Sequence, residues 1–580
     1  MIREHRRIST IVCLVAIVGA GLFLRLYGIP FGLPYLYHQD EPVTVGVALK
    51  FGTGELNPHY FHHPHLLHYI LFVLYGCVFL GGYVLHIFHS VSEFRSLFFH
   101  DPSLFYLSGR VFCAILGATT LLATYGYGKR LSGHLVGILS SLFLATSFLH
   151  VRHSHYVRHD IPVTLMVLIS SLFILKILEY GRKKDYLWAG FLLGLTLVTN
   201  WNGAIVLTSL ATAVLLRREA LKKSLFNLFL SGGASLVAAF VGSPFLFLDP
   251  NNNFKELFFH FSLTQNSAPS GPFVTKIAPT AWGRYLFHYL RIGMGWPLEL
   301  LALAGILWFL IRHQKKDLVF LSFPILYFCF IGKFRNSIRA EYILPILPFL
   351  YISAAGVVVR CADYLRGKAR AVFLGLFTCT LISLPTIHSM RHDYLITQKD
   401  TRTLAKEWVE QNIPPRTKIA MEKYIRLRAW VPPILETNEE NLELLKVVRR
   451  QNPSKGKMRE GLSLAKNPSP RYTLIELTPS THFIDEFESD YNIDELLKKK
   501  VEYVILSSFI RDFHAAALDP PRERFYKELS EKGELVKRFS PFKNGVPEVR
   551  QDHAPHTPLN GLWELERPGP VIEIYRLNRT

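Results

Sequence analysis

The chain has 580 residues, 49% hydrophobic and 13% aromatic, with a mean hydropathy of +0.20. Its apolar residues gather into long runs, which excludes an ordinary soluble domain and indicates a polytopic α-helical membrane protein. A formal charge of +20 would point to nucleic acid in a soluble chain. Here the Lys and Arg residues sit largely in short loops between apolar runs, so the charge reads as the positive-inside pattern and nucleic acid is excluded as a partner.

In chain order, Met1 to Arg7 is basic and Ile8 to Leu24 is apolar. No small-residue cleavage site follows, so this reads as an uncleaved first helix with a cytoplasmic N-terminus. Just beyond it stands Tyr37-His38-Gln39-Asp40-Glu41-Pro42, two adjacent carboxylates beside an imidazole where a membrane helix would surface. Capping of a loop helix is the plain reading of such a pair, and general-base chemistry is the other. The next loop, Asn57 to His68, carries His59, His62, His63, His65 and His68. A divalent ion held by Asp40, Glu41 and some of these imidazoles is one reading of His38, His62, His63 and His65. Hydrogen bonding to lipid phosphates is the alternative, and the spacing matches no closed zinc pattern.

Apolar runs that cross, or nearly so, fall at about 8–27, 104–127, 132–149, 161–180, 187–200, 203–216, 225–248, 286–311, 317–332, 342–360 and 370–388. The basic groups Lys129-Arg130, Arg182 to Lys184, Arg217 to Lys223, Arg312 to Lys316 and Arg360 to Arg370 share the side of Arg3, Arg6 and Arg7 only if about eleven segments cross. That count expects the run 64–88 to lie along the outer face, with Gly81-Gly82 allowing a break. The pair 187–200 and 203–216 is alternatively one tilted helix.

On this topology the clusters with chemistry share one face. Arg152-His153-Ser154-His155-Tyr156-Val157-Arg158-His159-Asp160-Ile161-Pro162 joins two membrane runs. Its guanidinium groups suit an anionic ligand, and Asp160 before Ile161-Pro162 reads as a helix cap. Lys333 to Tyr342, with Arg335 and Arg339, is a second cationic loop where the orientation rule disfavours cations, which suggests a held phosphate. Gln265, Asn266, Trp282, Arg284 and Tyr285 are weaker candidates for sugar contacts. The six cysteines lie in apolar stretches and form no disulfide framework or Cys-x-x-Cys site. Two domains follow from this pass: 1–388 in the membrane, and 389–580, polar and outside. In the second, helical spacing over Asp400 to Asn412 precedes strand-like runs at Lys418 to Met421, Tyr472 to Leu477, Val501 to Ser507 and Val571 to Leu577. With helices at 485–499 and 520–531 they make a soluble α/β domain of unreadable sheet order. Pro453 to Pro470 reads as a loop.

These residues resemble glycosyltransferases of the GT-C superfold, close to family 39, which holds protein O-mannosyltransferases and the transferases that place aminoarabinose on lipid A. The resemblance covers roughly residues 8–388. It is carried by Asp40-Glu41, by Asn57, Pro58 and Pro64, by His155, Tyr156, Asp160 and Pro162, and by Arg339, Tyr342, Pro345 and Pro348 at the start of a late helix. It implies about eleven crossings, a juxtamembrane helix in the first external loop, and transfer of a monosaccharide from a polyprenyl-phosphate donor to a hydroxyl with inversion. Three departures bear on donor identity: Thr199-Asn200-Trp201-Asn202 where a Thr-Lys is common, His63-Pro64-His65 where Pro-Pro is common, and Glu341 where Arg commonly precedes the Tyr.

In this reading Asp40 is the base and Glu41 holds the acceptor, the base or an ion. Arg158, His155, Tyr156, Asp160, Arg335, Arg339 and Tyr342 bind the donor phosphate and sugar. The partners are the lipid-linked donor, the bilayer, and an acceptor that is protein, lipid A or glycan. No cofactor is required beyond the divalent cation raised above. The expected location is a bacterial inner membrane, with the chemistry and the polar domain on the periplasmic or extracellular side. A transporter or flippase for a lipid-linked or anionic solute is the alternative, but it calls for midplane charges and internal repeats that the sequence lacks.

Overall fold

The computed structural model describes residues 2–266, 280–334, 338–422, 428–436, 471–477, 491–514, 520–548, 559 and 561–577. Arg335 and the loop 453–470 lie outside the described residues. The chain forms two compact units. One comprises Met1–Ile29, Thr44–Tyr75 and Ser108–Asp393, and the other Pro30–Val43, Gly76–Leu107 and Tyr394–Thr580.

The first unit is helical. Its packing depends on small residues that let backbones approach. Gly190 and Gly194 lie one turn apart on the helix Lys183–Thr199, and a Cβ at either would stand 2.1 or 2.2 Å from the carbonyl oxygen of Ser231 or Ser235 on the helix Leu221–Gly242. Helix pairs in an apolar solvent gain from such close approach because no hydrophobic force distinguishes neighbour from lipid. Gly305 meets the Ser353 carbonyl in the same way, joining Trp296–Arg312 to Leu347–Ala362.

The chain is a polytopic α-helical membrane protein, but the expectation of about eleven crossings is corrected. Seven helices among the described residues are long and apolar enough to span, or eight if Ala281–Met294 and Trp296–Arg312, bent by 119°, make one span. The shortfall arises where an apolar run is not one long rod. The run 132–149 divides at Thr146-Ser147 into His134–Ala145 and Phe148–His153. Twelve helical residues reach about 18 Å, short of the roughly 30 Å hydrocarbon core. The pair 187–200 and 203–216 breaks at Asn200, which is extended (φ −159°, ψ 137°) and whose side chain accepts from the Asn202 amide. The run 317–332 becomes the 17-residue helix Lys315–Ile331, with Pro324 inside it. Conversely, Leu66–Val84, which the sequence reading lays along the outer face, is a continuous helix long and apolar enough to cross. Gly81-Gly82 does not break it. The chain folds back after it, and the Phe88 ring lies where a Gly82 Cβ would be, 2.3 Å away. With seven or eight spans, the counting argument that kept 64–88 on the surface no longer holds.

The second unit contains the expected α/β domain. Its six strands are β1 (Lys418–Glu422), β2 (Leu435–Glu436), β3 (Arg471–Leu477), β4 (Tyr503–Ser507), β5 (Gly533–Phe539) and β6 (Ile572–Leu577), in the order β2-β3-β1-β4-β6-β5. The first four in that order are parallel, and β6 and β5 close the edge antiparallel. Strand alternation sends Ile419 and Ile505 to the face covered by the helix Thr401–Asn412, through Ala405 and Val409. Ala420, Val504 and Leu506 face the other way, against Phe525 and Leu529 of the helix Pro520–Lys532. At the end of β1 the buried Glu422 accepts from the Ser507 amide (2.9 Å), the Tyr491 hydroxyl (3.3 Å) and the Tyr526 hydroxyl. Burial pushes its carboxyl above the usual range. Strands β2 and β5 escape the sequence reading. β2 has two residues, and β5 reads Gly-Glu-Leu-Val-Lys-Arg-Phe, an edge pattern without apolar alternation.

Candidate functional site

In the first unit the cationic loop folds inward. Arg152, His153, His155, Tyr156, His159 and Asp160 are all buried. Asp160 opens the helix Asp160–Glu179, and its carbonyl accepts from Thr164 at 2.7 Å. The Arg158 Nε lies 3.0 Å from the Asp160 carboxylate, and its Nη1 lies 3.3 Å from Glu341. Arg339 reaches the same Glu341 oxygen at 3.7 Å. Glu341 is the second residue of the turn Ala340–Ile346, which has Pro345 inside it, so both cationic loops converge on one carboxylate. Two arginines against two carboxylates leave no net charge. The arrangement holds Arg158, largely out of water, and the exposed Arg339 against one carboxylate, where an entering anion meets both.

Beside this cluster lies a file of imidazoles. The His63 and His159 rings stand 4.8 Å apart between centroids, His68 and His159 5.1 Å, and His62 and His63 5.0 Å. The loop that carries them is pinned. Asn57 donates to Asp249 (3.2 Å), the Phe61 amide to Glu256, and His65 bridges the Ser243 hydroxyl (2.7 Å) and the Tyr60 carbonyl (2.7 Å). Burial pushes the His65 imidazole down to about 4, against the opposing bond to the Tyr60 carbonyl. Burial, and then the charge of Arg158, push His159 down to about 3. The His65 and His159 rings are therefore neutral near pH 7. They offer hydrogen bonds, and the arginines carry the charge. Burial and the neighbouring Arg152 push His153 down as well, and the Arg152 guanidinium lies 5.7 Å from the Tyr156 ring.

His155 is fully buried. Its Nδ1 faces the Val151 carbonyl and its Nε2 the Tyr27 carbonyl, each at 3.0 Å. Tyr342 packs its ring against Phe334 at 5.6 Å. Among the described residues, His155, His392 and Asp393 form the one group of His, Cys, Asp or Glu whose donor atoms all lie within 4.8 Å of one another. That set differs from the loop residues His38, His62, His63 and His65 that the sequence nominates for an ion. Sequence reading missed His392 and Asp393 because they stand at the end of a long apolar run, inside the helix Gly367–Thr397. An ionisable pair within such a helix is a signal that was available.

Asp40, Glu41 and His38 belong to the second unit. Glu41 is buried and begins the helix Glu41–Lys50, while Asp40 immediately before it is half-buried. The Asp40 amide donates to His38 Nδ1 at 3.2 Å, which places a ring proton on Nε2 in the neutral imidazole. Within the same unit, Tyr37 is fixed from the helix Thr401–Asn412: its hydroxyl bonds Thr403 at 2.6 Å, and the Arg402 guanidinium lies 3.9 Å from its ring.

Residues 99–247 match the model of the dolichyl-phosphate-mannose-protein mannosyltransferase family. No curated protein matches the sequence. Among solved structures, apo ArnT from Cupriavidus metallidurans superposes with a TM-score of 0.51 at 14% identity, over 98% of this chain and 98% of that one. The same protein bound to undecaprenyl phosphate gives 0.51 at 14%, over 97% of each chain. The apo oligosaccharyltransferase of Archaeoglobus fulgidus also gives 0.51 at 14%, over 95% of this chain and 75% of that chain. At such identities the likeness is one of fold, and the fold is that of the GT-C superfold.

Proposed function

We propose, starting from a chain with the GT-C fold, that this protein is a membrane glycosyltransferase that takes a monosaccharide from a polyprenyl-phosphate donor and passes it to a hydroxyl. The observation that carries the reading is the convergence of Arg158 and Arg339 on Glu341 beside Asp160. A lipid phosphate is a good leaving group only if the charge it acquires is met by fixed cations. Preorganised guanidinium groups meet that need without a general acid. The solved relative of the same fold bound to undecaprenyl phosphate supports a lipid-phosphate ligand.

The finer reading assigns Asp40 as the base. The acceptor oxygen attacks the anomeric carbon, the bond from that carbon to the phosphate oxygen breaks, and the acceptor proton passes to Asp40. Attack opposite the leaving phosphate inverts the anomeric centre. Glu41 holds the acceptor or the base. Arg158, Arg339 and Arg335 hold the phosphate, with Asp160 and Glu341 setting the arginine geometry. Tyr156 and Tyr342 contribute sugar contacts, and His155 braces the loop from below. His62, His63 and His65, with His38, supply hydrogen-bonding groups around the donor. The acceptor classes are a protein hydroxyl, lipid A and a growing glycan. The basic N-terminus supports a cytoplasmic start, with the chemistry on the opposite side of a plasma membrane.

The test is transfer from a panel of radiolabelled polyprenyl-phosphate sugars into total membranes, comparing wild type with Asp40→Asn. A general base contributes about 10²–10⁴-fold, so label entering with wild type and falling by that factor in Asp40→Asn is expected, and the extracted label identifies the acceptor. Equal label with both removes Asp40 as base. No transfer from any donor by folded protein removes the enzyme reading.

A further inference from the structure

Three segments far apart in sequence meet in the interior of the first unit. Tyr27 follows the first helix, His155 closes the 148–155 segment, and His392-Asp393 lie near the end of Gly367–Thr397. The side chains of His155, His392 and Asp393 are all at most 2% exposed. The Asp393 Oδ1 accepts from or faces His392 Nδ1 at 3.0 Å and lies 3.7 Å from His155 Nε2. Its second oxygen, Oδ2, is buried without a hydrogen-bond partner. The nearby guanidinium of Arg25 does not supply one. Arg25 spends its Nη groups on the carbonyls of Gly21 (2.7 Å), Ala145 (3.2 Å) and Leu144 (3.3 Å) and on His150 Nδ1 (2.8 Å).

His155 has the complementary difficulty. Both of its ring nitrogens face backbone carbonyls at 3.0 Å, Nδ1 towards Val151 and Nε2 towards Tyr27. A neutral imidazole has one N–H and can satisfy one of them. With the proton on Nδ1, donated to Val151, the Nε2 lone pair confronts the Tyr27 oxygen and the Asp393 carboxylate. Three electron-rich atoms then face one another, and the donor at hand, His392 Nδ1, reaches one of them, Asp393 Oδ1, at 3.0 Å.

We propose that His155, His392, Asp393 and the Tyr27 carbonyl form a binding site for a divalent borderline metal ion, with Zn²⁺ the preferred occupant. Two imidazoles, a carboxylate and a carbonyl make the mixed nitrogen and oxygen set that Zn²⁺ takes. Bonds of about 2.1 Å in a tetrahedral site set ligand atoms roughly 3.4 Å apart, and the separations of 3.0 and 3.7 Å bracket that value. The His155 Nδ1 bond to Val151 is the outer hydrogen bond that fixes tautomer and ring orientation in a metal-ligating histidine. The ion supplies the positive charge that buried Asp393 otherwise lacks in direct contact. It ties the first helix, the 148–155 segment and the last long helix together. This inference stands on its own geometry and does not depend on the proposed transfer reaction.

The experiment uses the full chain in detergent, purified on a tag free of histidine. Wild type should carry about one zinc per chain by elemental analysis. Zn²⁺ should raise the melting temperature and a chelator should lower it, and Co²⁺ replacement should give the visible absorption of a tetrahedral nitrogen and oxygen site. His392→Gln should lose the metal and the Co²⁺ absorption, while His62→Gln/His63→Gln, which removes two half-buried imidazoles of another loop, should keep both. Wild type with metal well below one per chain and no thermal response to Zn²⁺ overturns the site, whether or not any variant folds. Metal kept in His392→Gln, or lost with His62 and His63 instead, also overturns it.

Discussion

Replacing Arg402 by leucine perturbs a side chain that touches no proposed reactant. Arg402 is fully buried. Its Nε and Nη2 donate to the two Asp400 oxygens at 2.8 and 2.5 Å, its Nη1 donates to the Ala429 carbonyl, and its plane covers the Tyr37 ring at 3.9 Å. Removing one partner of a buried pair costs about 3–5 kcal/mol, because the other charge stays buried and alone. The lost stacking on Tyr37 adds up to about 2 kcal/mol at a desolvated site. The expected loss, roughly 5 kcal/mol, is a large part of the 5–15 kcal/mol that holds a domain folded. Arg402→Lys keeps the charge and loses the planar fork, so it should cost less and remain folded. Tyr37 lies three residues before Asp40, so Arg402→Lys should also loosen the approach to that carboxylate. Misplacement by about 1 Å costs on the order of 10²-fold in rate. The assays are hydrogen exchange over 30–43 and 400–412, denaturant melts, and a double-mutant cycle with Asp400→Asn. The cycle should show strong coupling, since the double variant leaves no orphaned charge. If Arg402→Leu costs under about 0.5 kcal/mol, the range of an ordinary surface change, and leaves exchange over 30–43 unaltered, the anchoring argument is wrong.

Glu341→Gln removes the carboxylate shared by Arg158 and Arg339. It should tighten inhibition by undecaprenyl phosphate about tenfold, in line with the loss of a competing charge at close range, while lowering thermal stability. Weaker inhibition would refute that account. His65 and His159 are held below the ordinary imidazole value, to about 4 and about 3. Their native state binds fewer protons than the unfolded chain does, so the contribution they make is complete above about 6.5 and drains away as pH falls towards those values. Melting temperature measured from pH 7.5 down to 4.5 should fall, and His65→Asn should flatten the slope; an unchanged slope counts against the assignment. Gly194→Leu forces a side chain into the Ser235 carbonyl 2.2 Å from the Cβ position and should cost about 3 kcal/mol by overpacking. Gly233→Leu, on the facing helix with nothing within 4 Å, is the control that should cost little.

The legible part of the site was local. Arg158 and Asp160 are two residues apart, and their ion pair follows from that proximity. The same loop spacing nominates His155, but the backbone carbonyls its ring faces were not readable, because which face of a short loop is buried depends on what packs over it. Glu341 read as a departure from a pattern. Its role as the meeting point of Arg158 and Arg339 needed contacts across roughly 180 residues of chain. In the α/β domain, the helix at 401–412 and the strands with apolar alternation were readable, whereas the edge strand β5, with Glu534, Lys537 and Arg538 breaking any alternation, was not.

By itself, the sequence determined the solvent of each part: apolar runs in lipid, a polar α/β domain, and cations gathered in the loops between the runs. These are sums over composition, which folding does not alter. The tertiary structure decided how many runs are spanning rods. A run of apolar residues does not reveal the extended Asn200, the 119° bend beside Gly295 or the division at Thr146-Ser147. It also decided that Tyr27, His155 and Asp393 meet. Burial makes every unsatisfied polar atom costly, and only the packed chain shows which atoms are left facing one another.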